Sequence, residues 1–173
     1  MRRFGISALI FMAWTAPAPC AEPTGEWLVA DSSARIWIEK CGEQYWGIVA
    51  WEKAPGQDTE NPDPAKRGQP TLGLPVLLGM KPVETDQWEG EVYNAKNGKT
   101  YSARLLLQDA DSLKVEGCLI GGFLCLGEVW TRIVQNRRPA GSAANICSRL
   151  NLPGPPHQGR LEQNSGRHRA NQR

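Results

Sequence analysis

Residues 22–134 contain no histidine; the chain's two, His157 and His168, lie near the C-terminus. That absence removes Ser–His and Cys–His nucleophilic pairs, histidine acid–base chemistry and histidine metal ligation from this stretch. None of the five cysteines, Cys20, Cys41, Cys118, Cys125 and Cys147, has the C-x-x-C spacing of a zinc site or a redox dithiol. Long apolar runs are also missing. The most apolar stretch, Phe4 to Trp14, falls short of the roughly 20 residues that span a bilayer. There is no internal repeat and no sustained helical periodicity. Carboxylate-only chemistry survives these exclusions, since glycoside hydrolysis needs just two carboxyl groups. With 17 acidic residues between 22 and 133, however, some close pair is unavoidable. No catalytic residue, metal or cofactor is therefore assigned, and an enzyme is not expected.

The two ends of the chain differ from its middle. Arg2 and Arg3, the apolar run, and the small residues and prolines from Thr15 to Ala21 have the order of a secretory signal peptide over residues 1–21. The mature protein is expected to begin between Ala18 and Glu22, without lipid, in the periplasm or outside the cell. Removing Cys20 would leave an even four cysteines, which suits an oxidising compartment. Residues 22–133 carry 17 acidic and 11 basic side chains, a net charge of −6. Residues 134–173 hold seven arginines and one glutamate, a net charge of +6, among several prolines. That composition buries too little apolar surface to offset its ordering entropy, so 135–173 is expected to be a disordered basic tail. No nucleic-acid partner is assigned to it.

Between the ends, short alternating segments are separated by turn residues. Strands are expected over 27–30, 34–40, 45–51, 76–80, 88–93, 100–107, 113–118 and 128–134. Asn97-Gly98 carries the signature of a two-residue hairpin turn with both central φ positive. Strands about every ten residues indicate an all-β domain over 22–134, an antiparallel sandwich or barrel; closure, which removes exposed edges, favours a barrel of about eight strands. A long proline-rich loop, Lys53 to Pro75, interrupts the series. Within it Asp58, Asn61, Asp63 and Arg67 are candidate site residues. The oxygen donors of Asp58, Asn61 and Asp63 could suit calcium, but the glycine and distal glutamate of an EF-hand are missing, so bonding to nearby backbone amides is the preferred reading. Cys118 and Cys125 flank Gly121-Gly122 where consecutive strands would meet, and a disulfide across that hairpin base is expected.

Several segments resemble the DUF2147 family of small exported bacterial proteins: Pro23-Thr24-Gly25-Glu26-Trp27, Cys41-Gly42, Asn61-Pro62-Asp63-Pro64, Gly73-Leu74-Pro75, Trp88-Glu89-Gly90, Gly98-Lys99-Thr100-Tyr101, Gly117-Cys118 and Trp130-Thr131-Arg132. The resemblance covers about 22–134 and implies a lipocalin-like barrel with no assigned activity. The family often has a second cysteine in a C-G-x-x-x-C arrangement, where this chain has Trp46. Cys41 is thus free, or pairs with Cys147 or Cys20. Gly25-x-Trp27 also looks like the lipocalin G-x-W signature, which implies that Arg132 packs over Trp27 and closes one barrel end.

The aromatic residues Trp37, Tyr45, Trp46, Trp51, Trp88, Tyr93 and Tyr101 are many for so small a domain. They pack the core, or they line a lumen for a small apolar or amphipathic ligand. The candidate ligand-binding set is Trp37, Trp46, Trp51, Trp88 and Tyr93. Trp46 and Trp51 have opposite parity, so in an unbulged strand one of them faces away from the core. The first functional expectation is a ligand-binding barrel. The alternative is an envelope protein with a filled barrel that contacts a protein partner.

Overall fold

The computed structural model describes residues 22–119, 124–134 and 146–154. Eight strands follow one another: β1 (Gly25–Leu28), β2 (Ala34–Cys41), β3 (Gln44–Glu52), β4 (Pro75–Glu84), β5 (Gln87–Asn94), β6 (Lys99–Asp109), β7 (Ser112–Leu119) and β8 (Leu124–Ile133). Each pairs antiparallel with the next, and β8 returns to β1, so the sheet closes into a barrel. Alternation places Ile36 and Ile38 of β2, Ala103, Leu105 and Leu107 of β6, and Leu113 and Val115 of β7 in the interior. This is the eight-stranded antiparallel barrel expected from the sequence.

Three local departures have physical causes. The β5–β6 connection is a four-residue loop rather than a two-residue turn, and of Asn97 and Gly98 only Gly98 has positive φ (66°). The Asn94 carbonyl collects the Asn97 and Gly98 amides, and its side chain accepts from Lys96 N. A β-carbon at Gly98 would collide with the Glu60 carbonyl, because the long loop rests there. Strand β4 runs on to Glu84, past Pro82. Its pairing with β3 stops at Met80, so Pro82 sits where no β3 partner needs its missing N–H. In β3 the register moves from Arg35↔Trp51 to Ile36↔Val49, which makes Ala50 a bulge. The bulge turns Trp51 to the same outer side as Trp46.

The C-terminal expectation needs correction. Residues 146–154, inside the stretch read as disordered, are ordered against the barrel. A short helix, α1 (Ile146–Arg149), buries Ile146 and Cys147, and Cys147 is disulfide-bonded to Cys41. Ile48, Trp37 and Trp46 on the outer face of β2 and β3 pack beneath it with Leu150 and Leu152. The buried Glu39 carboxylate accepts from Ile146 N. An apolar outer face on two strands and a covalent tether supply what composition alone did not reveal. The rest of the expected tail, 135–145 and 155–173, and the expected signal peptide, 1–21, lie outside the described residues, as does Cys20.

Candidate functional site

Chain direction sorts the barrel's ends. The N-terminal approach and the turns β2–β3, β4–β5 and β6–β7 lie at one end. The β1–β2, β3–β4, β5–β6 and β7–β8 connections lie at the other.

Arg132 closes the first end. Its guanidinium lies 4.1 Å from the Trp27 ring centroid, and Trp27 is fully buried. Arg132 also donates to the carbonyls of Thr24 (2.6 Å), Glu22 (3.1 Å) and Ala110. Trp27 Nε1 donates to Pro23 O at 2.8 Å. Gly25 sits at φ 117°, and a β-carbon there would come within 3.0 Å of Arg132 Nη1. The glycine of the G-x-W motif is thus required by backbone conformation and by the arginine that lies beside it.

The other end opens into a cavity of about 1090 Å³. Ile36, Val49, Leu74, Val92 and Val115 give it apolar walls, and Tyr93, Tyr101 and Trp130 add aromatic surface. Asp31, Glu52, Lys53 and Lys96 come from loops and strand ends at the mouth. Gly117 lies on the wall with no side chain to fill the space; a β-carbon there would meet Val92 and Tyr101 only at ordinary contact distance.

Of the sequence-derived ligand set, Tyr93 alone lines this cavity. Trp88 is buried in the packed part of the interior, edge-on to Tyr45 at 5.7 Å. Trp37 and Trp46 support the C-terminal segment on the outside. Trp51 is 39% exposed and stacks under Arg35, 4.8 Å from its ring centroid. The structure therefore corrects the lumen assignment of Trp37, Trp46 and Trp51. Their strand parity, with the Ala50 bulge, points them away from the lumen.

The loop residues Asp58, Asn61, Asp63 and Arg67 do come together, as a brace. Asp58 is fully buried and accepts from Asn61 Nδ2 (2.6 Å), Gln69 Nε2 (3.2 Å) and Tyr93 OH (2.7 Å). Burial opposes its charge, but these hydrogen bonds from Asn61, Tyr93 and Gln69 prevail and hold the carboxyl below its ordinary value. Burial, reinforced by the Asp58 bond and charge, pushes the Tyr93 phenol up to about 12. Asn61 Oδ1 accepts from Asp63 N, Arg67 Nε donates to Asn61 O, and Asp63 caps a single 3-10 turn, Pro64–Lys66. Asn61 and Asp63 thus accept from nearby backbone amides, the pattern preferred from the sequence, whereas the Asp58 carboxylate accepts from side chains only. Among the described residues, no three His, Cys, Asp or Glu side chains are grouped to hold a metal.

The sequence reading began the last strand at Glu128 and so missed the inner face of its first half. Leu126, Glu128 and Trp130 alternate there, opposite Gly117, Val115 and Leu113. Their spacing of two was the available signal. Cys118 and Cys125 are directly opposed in this ladder and form the expected disulfide.

A model of the family described as "Uncharacterized protein conserved in bacteria (DUF2147)" matches residues 25–132. No curated protein matches the chain. Among solved structures, protein HP1028 of Helicobacter pylori, described as belonging to the lipocalin family, superposes with a TM-score of 0.61 at 17% identity. The match covers 76% of this chain and 90% of that one.

Proposed function

The chain belongs to the DUF2147 family, and from that premise we propose that it is an exported binding protein that holds a small apolar or amphipathic ligand in its barrel. The observation that carries this reading is the cavity, about 1090 Å³, open at one end and sealed at the other by Trp27 and Arg132. Its volume lies at the upper limit of ligand pockets, for which about 300–1,000 Å³ is usual. A filled barrel, the basis of the partner-binding alternative, would leave no such space.

Export rests on the signal-like residues 1–21 and is supported by the two disulfides, which persist in oxidising compartments. A periplasmic or secreted location follows from the same features. No helix among the described residues is long and apolar enough to cross a membrane. A non-enzymatic role fits the absence of histidine from 22–134 and the engagement of Asp58 in three hydrogen bonds.

Native mass spectrometry of the full chain, expressed in a bacterium and recovered from its periplasm, tests both parts. The expected result is a shortened polypeptide carrying a non-covalent adduct that is lost on denaturation. Retention of residues 1–17, or a cytoplasmic location, would overturn export. An adduct-free protein whose tryptophan fluorescence is unchanged by fatty acids, alcohols or amines would overturn ligand binding.

A further inference from the structure

We propose that Glu128, set in an otherwise apolar stretch of the lumen wall, is the recognition group for a positively charged head, so that the cavity takes a cationic amphiphile. This rests on the ligand-binding reading above.

Glu128 is the fifth of the ten residues of β8, midway between the mouth at Leu124 and the sealed end at Ile133. Its register partner is Val115, and the inward-facing neighbours along its own strand are Leu126 and Trp130. The other charged side chains on the cavity, Asp31, Glu52, Lys53 and Lys96, all belong to its mouth. The carboxylate is oriented by its own strand: Trp130 Nε1 donates to Oε1 at 2.5 Å. Oε2 has no partner among the described residues. The lysine on the facing strand, Lys114, points to the outside of the sheet and is paired with Glu116 at 2.6 Å. Among the described residues, no cation is paired with Glu128.

Glu128 is exposed on the lumen wall, but a ligand that covers it would strip its carboxylate of water, which is costly unless the charge is paired. A ligand ammonium would supply the missing charge. Trp130, Tyr93 and Tyr101 line the same cavity and offer aromatic surface that suits the same cation. The bare wall at Gly117 and the exposed Leu126, 68% accessible, offer the apolar surface on which a chain would lie. An anionic head at this depth would meet Glu128 with like charge, and a neutral head could at most donate a hydrogen bond and would leave the charge unbalanced.

The test compares four single-chain amphiphiles of equal length below their micellar concentrations: dodecylamine, dodecyltrimethylammonium, dodecanol and dodecanoate. Calorimetric titration of the full chain reads their affinities, first for the unaltered protein and then for Glu128→Gln. Both cations should bind at least tenfold more tightly than dodecanoate, about 1.4 kcal/mol at 25 °C. Glu128→Gln should remove that preference and leave dodecanol affinity unchanged. Dodecanoate binding as tightly as the cations, or a cation preference that survives Glu128→Gln in a protein with an unaltered melting midpoint, would overturn the role of Glu128. Failure of all four to bind would overturn the ligand-binding reading itself. Because the comparison among amphiphiles is made in the unaltered protein, its outcome does not depend on the variant folding.

Discussion

Arg132 holds four things at once: an indole face and the carbonyls of Glu22, Thr24 and Ala110. Truncation leaves the part-buried Thr24 carbonyl without its donor, removes the more exposed bonds to Glu22 and Ala110, and uncovers Trp27. Arg132→Ala should therefore lose about 2–3 kcal/mol of stability, read as a lower melting midpoint. Amphiphile affinity should change little, because the cavity opens at the far end. The Asp58–Tyr93 bond makes a second residue-scale prediction. The Asp58 carboxyl lies below its ordinary value of 3.8, so it is protonated more readily in the unfolded chain than in the folded one. Its contribution is complete above that value and is lost as pH falls through the lowered one. The stability gap between the natural protein and Asp58→Asn should be constant above about pH 5 and shrink toward pH 2. The Tyr93 phenol behaves in the opposite sense: its contribution is intact below 10.0 and is lost as pH rises toward about 12. Thermal melts across both ranges check the two limbs.

At the scale of elements, the hairpin and the C-terminal segment are held by different means. The Cys118–Cys125 bridge spans seven residues, and in the chain-entropy model so short a loop contributes about 2.5 kcal/mol. Non-reducing peptide mapping should recover this pair, and Cys118→Ser with Cys125→Ser should cost about that much. Cys41–Cys147 spans 106 residues, for which the same model gives about 4.7 kcal/mol. Trypsin should spare Arg149 while that bridge is intact and cleave there after reduction; cleavage under oxidising conditions would show that the segment does not stay docked. Strands were legible because one side of each meets the core and the other meets solvent, which writes a period of two into Arg35–Glu39 and Ser102–Leu107. Elements that break this rule were hidden. Trp37 and Trp46 lie with Ile48 on an outer face covered by a later segment, so the apolar character of the two tryptophans was credited to the lumen. The bulge at Ala50 inverted the parity argument for Trp51. Asp58 was readable as a turn-former, but its bond to Tyr93, 35 residues away, leaves no mark in local sequence.

For the whole molecule, the eight-fold order of strands was expected, whereas a hollow and a filled barrel both remained open, since binary pattern fixes which side faces inward but not how much volume those side chains fill. Gly117 makes the hollow adjustable. A side chain there meets no steric obstacle and points into empty space. Gly117→Leu should keep or raise the melting midpoint and weaken amphiphile binding at least tenfold; tight binding by this variant would place the ligand elsewhere. The same topology has a consequence in time. Chains are made N-terminus first at about 5–20 residues per second. The 106 residues between Cys41 and Cys147 therefore leave Cys41 waiting for roughly 5–20 seconds. Cys118 emerges within that interval as a rival. Cys125 follows only seven residues behind it and can capture it locally, which clears the field for the late arrival. The short bridge thereby acts as a proofreader of the long one. Cys125→Ser should release that guard, and the yield of Cys41–Cys118 mispaired protein, measured on newly made chains, should rise.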